Sequence, residues 1–364
     1  MKRLSKIDRI RLKQQAKFLP LSRVRRERRK HPEIRVKRRI SDADGSFVRP
    51  LVKVEFPREF GLYDSATREP LLTALSRLRW AASSSSVRHV VIDLSDVRQL
   101  HSCGTLLFVA EVDRLTEIPE CSKKIDIVEP VDDTVCQMFQ HIGFYEKFGI
   151  REKFSSIENK DVIDWIYGVG EENNLGEVVH RLPTYLTGAR NKSLKMAVTG
   201  GMTEAVANSA EHAYIGSRDD GVPLPTPKRW WMFARKVENH VLVVICDLGI
   251  GIPRTLNVTW TEDLSSFLKT MTGKKREDHQ LIKFALTVGK TRTNLRHRGK
   301  GLKDILKVVQ EQKVGGLRIY SNKGVYFVDG ESGNAGAFSS NQSIFGTLVQ
   351  WMIPIAAFES AAGG

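Results

Sequence analysis

The chain has 364 residues, 41% of them hydrophobic, enough for two domains of ordinary size with a sizeable core. No apolar run approaches the roughly 18–20 residues of a membrane span, and the charged N-terminus lacks the apolar core of a secretory signal, so a cytoplasmic protein is expected. The net charge of +15 is uneven: residues 1–40 hold 17 Lys and Arg against Asp8, Glu27 and Glu33, and the remainder is nearly neutral.

Residues 1–45 therefore read as a basic, flexible arm that attracts polyanions: nucleic acid, anionic lipid or an acidic protein. Phe18 is the one aromatic among residues 1–40, so base stacking is not indicated. A turn-rich boundary, ISDADGS, follows. Strand, helix and loop signals then alternate from 51 to 144: strand LVKVEF (51–56), helix EPLLTALSRLRW (69–80), loop SSSS (83–86), strand VRHVVIDL (87–94). A helix CGTLLFVAEVDRL (103–115), a strand KKIDIVEP (123–130) and a helix DDTVCQMFQHIGF (132–144) complete a small α/β unit over 46–155. Its last helix has an Asp at the cap position and Gly143 just past its end.

Residues 156–178 read as a connector with one short helix, DVIDWIYG. The next stretch, including LPTYLTGARNKSLKMAV, predicts two helices, with Gly200 and Gly201 blurring the join. RWWMFARK (229–236) and HVLVVICD (240–247) predict strands joined by a tight Glu-Asn turn. A long polar segment, 254–299, precedes a helix over 301–313. A hairpin LRIYSNKGVYFVD (317–329), a Gly/Ser/Asn-rich loop (330–343) and a strand GTLVQWMIPI (346–355) follow, and residues 358–364 read as a disordered tail. Cys103, Cys121, Cys136 and Cys246 are scattered without a CxxC pair and read as reduced core residues, implying neither disulfide nor zinc.

Four stretches carry chemistry. EAVANSAEHAY (204–214) reads as one helix whose Val206, Ser209, Ala210 and Ala213 form a small apolar stripe, with Glu204, Asn208, Glu211 and His212 stacked opposite. The plain reading is a solvated face; the sharper one is a magnesium–nucleotide site. DLGIGIP (247–253) ends a buried strand in Asp247, with Gly249 and Gly251 letting backbone approach a flat ligand closely. An aspartate there can accept the exocyclic amine of adenine, and the plain alternative is a glycine turn. HRGKGLKDI (297–305) places Gly299, Lys300 and Gly301 at a helix start, an arrangement suited to anions. FGTLVQW (345–351) opens a strand with Gly-Thr, where the Thr347 hydroxyl can contact adenine through water. VGKTRT (288–293) is no phosphate-cradling P-loop, because Phe284 stands where its first glycine belongs.

In this order the four stretches resemble the GHKL ATPase superfamily, over 179–357, and TEAVANSAEHAY is most similar to the anti-sigma-factor serine kinases. The resemblance implies an α/β sandwich with helices on one face of a mixed sheet, and ATP and Mg2+ as cofactors. It implies that Asn208 binds the magnesium and that Glu204 is the base orienting water or a substrate hydroxyl. Asp247 would contact adenine, Gly249 and Gly251 would lie under the base, and Gly299, Lys300 and Gly301 would reach the phosphates through a lid. His212 is read as structural.

VVIDLSDVRQLHSCGTLLFVAEVDRL (90–115) is similar to STAS domains. The family's phosphorylation run departs here to His101-Ser102-Cys103-Gly104, with cysteine where the acceptor serine usually sits, which implies an interaction module without that switch. Three functions stay open: a regulatory ATPase, a serine/threonine kinase of partner-switching type, and a nucleotide-gated nucleic-acid-binding module without turnover. The partners expected are ATP, a polyanion on residues 1–40, a protein on the STAS-like unit, and a second copy of the chain in a homodimer.

Overall fold

The computed structural model describes residues 50–122, 124–171, 175, 190–224, 228–259, 277–288, 306, 307, 309–311 and 313–359. The basic arm and the stretch Gly299–Gly301 lie outside the described residues.

The first part is built on parallel strands. β1 (Leu51–Glu55), β3 (His89–Asp93) and β5 (Ile125–Val128) form a three-stranded parallel sheet in the order β1-β3-β5. A two-residue parallel pair, β2 (Glu59–Phe60) with β4 (Gln99–Leu100), lies beside it. The first helix, α1 (Ser65–Ser83), starts four residues before the sequence signal, because Asp64 caps it by accepting from the Thr67 amide at 2.9 Å. Pro70 falls early in that helix. The next, α2 (Ser102–Glu117), is buried at every residue from Ser102 to Leu115. A short α3 (Pro119–Ser122) follows. α4 (Asp133–His141) is capped by Asp132 as expected, and Gly143 takes a φ of +72° just beyond it.

Residues 156–178, expected as a connector, contain α5 (Lys160–Ile163) and a strand, β6 (Ile166–Glu171). β6 is an edge strand of a seven-stranded sheet ordered β11-β10-β9-β12-β8-β7-β6. Its other members are β7 (Arg229–Val237), β8 (His240–Asp247), β9 (Gly316–Ser321), β10 (Gly324–Asp329), β11 (Ala335–Ser339) and β12 (Thr347–Pro354). Among the described residues every pairing in this sheet is antiparallel, where a mixed sheet was expected. The tight turn Glu238–Asn239 is present, with Glu238 at φ 51°. β11 lies inside the expected Gly/Ser/Asn loop. Gly336 belongs there because the Phe327 ring of β10 lies across it: a Cβ would sit 2.5 Å from that ring.

One long helix, α6 (Lys192–Asn208), runs straight through Gly200 and Gly201. Each helix-interior glycine costs about 1 kcal/mol relative to alanine. Burial of Leu194, Val198, Met202 and Val206 against the sheet outweighs that. The polar segment 254–299 includes two further helices, α7 (Ile252–Thr259) and α8 (Asp278–Val288), which meet through Leu256, Leu281 and Phe284. α9 (Ile355–Glu359) follows β12 directly.

Strand periodicity sends alternate residues to opposite faces. On β7, Trp230 and Met232 join the core under α6, while Trp231 and Phe233 join the core around α1 and α2. β8 divides the same way, Val243 and Ile245 against Val244 and Cys246. The seven-stranded sheet therefore has helices on both faces, not on one. α1 covers β1 and β3 of the parallel sheet, α2 packs on α1, β2 and the β7–β8–β12 face, and Leu51–Gly364 forms a single compact unit. No helix among the described residues is long and apolar enough to cross a membrane. All four cysteines are reduced and buried.

Candidate functional site

β8 is apolar at each position from Val241 to Cys246, and it delivers Asp247 to its end, opposite Thr347 on β12. The Asp247 carboxyl is almost fully enclosed. It accepts from the Gly249 amide at 2.9 Å and from the Thr347 amide. Burial pushes its pKa up to about 6, against the pull of those two amides and of the Arg218 charge.

The turn after Asp247 is clamped by three elements. At Gly249 a Cβ would lie 2.2 Å from the Ala213 carbonyl oxygen, so only glycine fits, and the next amide, Ile250, donates to that same oxygen at 2.7 Å. The Leu248 amide donates to the Tyr214 hydroxyl at 3.1 Å, and that hydroxyl donates to the Arg229 carbonyl. Gly251 takes φ +79°, with the Asn322 side chain where a Cβ would go; Asn322 Nδ2 donates to Ile250 O at 2.8 Å. Ser321 Oγ accepts from the Ile252 amide at 2.8 Å and lies 3.0 Å from Thr347 Oγ1. Asp247, Gly249, Gly251 and Thr347 are thus brought together around one strand end.

Glu204 and Asn208 sit one turn apart on α6, both half-buried. The expected single helix changes pitch after Asn208. Ser209–Ala213 form a π turn, which carries Glu211 and His212 off the line of Glu204 and Asn208. The wider turn lets the helix end reach two strands at once, through the Ala213 carbonyl and Tyr214. Ala213 lies roughly 7 Å along the helix from Asn208, so the helix bearing Glu204 and Asn208 runs directly into the clamp on the Asp247 turn. His212 is half-exposed, with Glu211 as its nearest acid at 4.0 Å.

Residues outside the sequence expectation complete the clamp. Tyr214 ends the EAVANSAEHAY stretch with no role of its own in the sequence pattern, and Ser321 and Asn322 read there only as a hairpin turn. Gly346 is also constrained: it takes φ +151°, and a Cβ there would lie 2.2 Å from the Asp247 carbonyl oxygen.

At the start of α2, Cys103 is fully buried and its thiol donates to Gln350 Oε1 at 2.7 Å, beside the Tyr63 hydroxyl, which donates to the same oxygen at 3.0 Å. Burial pushes the Cys103 thiol up to about 12. Ser102 is buried too. Both positions face into the molecule.

Compared with known proteins, the chain matches no family model and no curated protein. The chemistry of the site therefore rests on its own atoms. A buried carboxylate with two amide donors keeps free lone pairs, which suits a planar ligand presenting an N–H donor. Such an acceptor is of the kind that could take the exocyclic N–H of an adenine. The Asn208 amide oxygen is a hard ligand of the kind magnesium takes one or two at a time, alongside phosphate and water. Among the described residues no trio of His, Cys, Asp or Glu gathers into a metal site.

Proposed function

We propose that the chain is an ATP-binding regulatory protein of the GHKL type, a magnesium-dependent ATPase whose STAS-like region and 254–299 segment respond to nucleotide. The observation that carries this reading is Asp247, a buried acceptor at a strand end, on a glycine turn clamped by the helix that bears Glu204 and Asn208. Asn208 would hold the magnesium, which supplies charge neutralisation on the phosphates. Glu204 would take the proton from an attacking water or a substrate hydroxyl. Asp247 would accept from the adenine amine and Thr347 would support it through water. The resemblance would put Gly249 and Gly251 under the base, but their open sides pack against the Ala213 carbonyl and the Asn322 side chain, so the two glycines serve the shape of the turn. Gly299, Lys300 and Gly301 would supply the phosphate contacts.

The buried Ser102 and Cys103 weigh against phosphate transfer onto this chain's own STAS-like acceptor position. A kinase reading thus requires a hydroxyl on another protein. Incubation of the purified chain with γ-labelled ATP and magnesium separates the readings. Label in free phosphate is the expected result. Label in an added protein would make it a kinase, and label in neither would leave a nucleotide-gated binder.

The basic arm is proposed to hold a cytoplasmic polyanion. The log of its affinity for duplex DNA should fall linearly with log salt, at about 0.9 per phosphate contact. Deleting residues 1–40 should remove that binding and spare ATP affinity. Duplex binding at full strength without the arm would place the interaction elsewhere.

A further inference from the structure

One cross-strand row carries the polar groups at this end of the sheet. The pairing register sets Asp247 of β8, Thr347 of β12 and Ser321 of β9 side by side. The row lies on the α6 face, because Ile245, Val349 and Ile319, two residues away on the same strands, join the core under α6. Directly opposed residues of an antiparallel pair hold their Cβ atoms about 4.5–5.5 Å apart. Thr347 therefore neighbours the Asp247 carboxyl on one side and the Ser321 hydroxyl on the other.

The protons of this row can be assigned from its partners. Ser321 is fully buried. The Ile252 amide donates to its hydroxyl at 2.8 Å, the Gly346 carbonyl oxygen lies at 3.2 Å, and Thr347 Oγ1 lies at 3.0 Å. A hydroxyl has one proton and two lone pairs. The amide can only donate and the carbonyl can only accept, so they occupy one lone pair and the proton. The second lone pair remains for Thr347, whose own proton fills it. The reverse assignment would set Ser321 Oγ and Gly346 O against each other as bare acceptors, away from water. Thr347 is half-buried, and its hydroxyl makes no other hydrogen bond among the described residues. Toward a ligand it presents lone pairs.

We propose that Ser321 is a positioning residue that sets base specificity: by holding the Thr347 proton it makes Thr347 an acceptor, so that Asp247 and Thr347 together select a 6-amino purine and reject a 6-oxo one. The proposal rests on the nucleotide reading, and it replaces the water expected at Thr347 with a direct contact. An exocyclic amine carries two protons about 120° apart, which at hydrogen-bond length reach acceptors about 5 Å apart. That is the spacing of neighbours in the row. A 6-oxo purine would set its carbonyl oxygen against the same two acceptors, with no proton among the three. Ser321 acts through Thr347 and touches no ligand itself.

The test measures, by calorimetry on the full chain with magnesium at pH 8, the affinities for ATP, inosine triphosphate and inorganic triphosphate. Wild type should prefer ATP to inosine triphosphate by at least about a hundredfold. Ser321→Ala frees the Thr347 proton to turn toward a carbonyl, so that preference should fall about tenfold, the scale of one hydrogen bond. Ser321→Thr keeps the hydroxyl and should restore it. Inorganic triphosphate should bind all three proteins alike. A merely loosened turn would weaken both nucleotides together, so an unmoved preference in Ser321→Ala overturns the proposal. If Ser321→Ala fails to fold, Thr347→Val decides. Loss of an acceptor lowers the preference for ATP about tenfold, whereas loss of a donor raises it, and a raised or unmoved preference overturns the proposal. Wild type that binds both nucleotides within tenfold of each other overturns the role of Ser321 and leaves the nucleotide reading standing. Wild type that binds neither nucleotide overturns the function proposed above, and this proposal with it.

Discussion

Asp247 concentrates two opposed effects in one side chain. Its pKa is raised from 3.8 to about 6 by burial, so ionising it weakens the fold. A raised carboxyl gives stability that is complete below the unfolded value and is lost as pH rises through the folded one. Between about pH 4 and 6 the wild type should therefore lose on the order of 2–3 kcal/mol. Asp247→Asn should flatten that slope and melt higher than wild type at pH 7. On the proposed reading the same change should weaken ATP more than inorganic triphosphate, because the Asp247 carboxylate would meet the base and triphosphate has none. Equal weakening of both ligands would remove the adenine role. Glu204 and Asn208 separate by a different readout. Asn208→Ala should abolish magnesium-dependent ATP binding. Glu204→Ala should bind ATP as tightly as wild type or tighter, while turnover falls about 10²–10⁴-fold. Unchanged turnover in Glu204→Ala would put the base elsewhere. These residues are legible in the sequence because their chemistry is local: a strand ending in Asp, two glycines, and a Glu-x-x-x-Asn helix. Arg218, Tyr214 and Phe345 are not, because their partners, Glu111 of α2, the Leu248 amide just past β8 and Arg79 of α1, lie far away in sequence.

Among the elements, the glycines show where packing overrides propensity. Gly249 and Gly200 look alike in sequence but differ in surroundings. A Cβ on Gly249 would strike the Ala213 carbonyl oxygen at 2.2 Å, whereas one on Gly200 meets nothing within 4 Å. Gly249→Ala should cost about 1–3 kcal/mol as an overpacked site, and it should loosen the Ile250–Ala213 bond that ties α6 to the Asp247 turn. Gly200→Ala should stabilise α6 by about 1 kcal/mol. Thermal melts of the two variants should move in opposite directions, and a matched pair of decreases would mean that α6 is not helical through Gly200. The same contrast explains the elements that sequence periodicity misses. α6 survives its glycine pair because one face is deep in the core. β11 forms from Ala335, Gly336 and Ala337, which carry weak strand propensity, because β10 offers it an edge and Phe327 covers its glycine. Neither support is local, so neither reads from periodicity.

For the whole molecule, the informative signal is the unbroken apolarity of WWMFA and VLVVIC. A strand with one solvated face alternates, and a strand apolar at every position is covered on both sides. The family resemblance implies helices on one face; the second layer is α2, which arrives from the N-terminal part. This makes the α/β part that starts at Leu51 contribute to the second sheet's core, with Tyr167 of β6 and Trp231 of β7 both donating to Asp113 of α2, at 3.1 and 2.7 Å. A fragment spanning 156–364 would expose Trp231, Phe233, Leu242, Val244 and Leu348, all buried in that core. At about 1.5–3 kcal/mol per buried side chain, this exposure costs about 10 kcal/mol, the scale of an ordinary domain's whole stability. It would also leave Arg218 and Asp220 without Glu111, Arg79 and Arg114. The fragment should therefore be insoluble, or soluble with a broad melt and strong binding of a hydrophobic dye. A fragment spanning 46–364 should melt cooperatively and bind ATP as the full chain does. Parallel expression, circular dichroism melts and dye binding on the two fragments decide the matter. A cooperative melt of 156–364 within a few degrees of 46–364 would show that the sheet does not depend on α2, and with it would go the argument that this face is a core and not a docking surface.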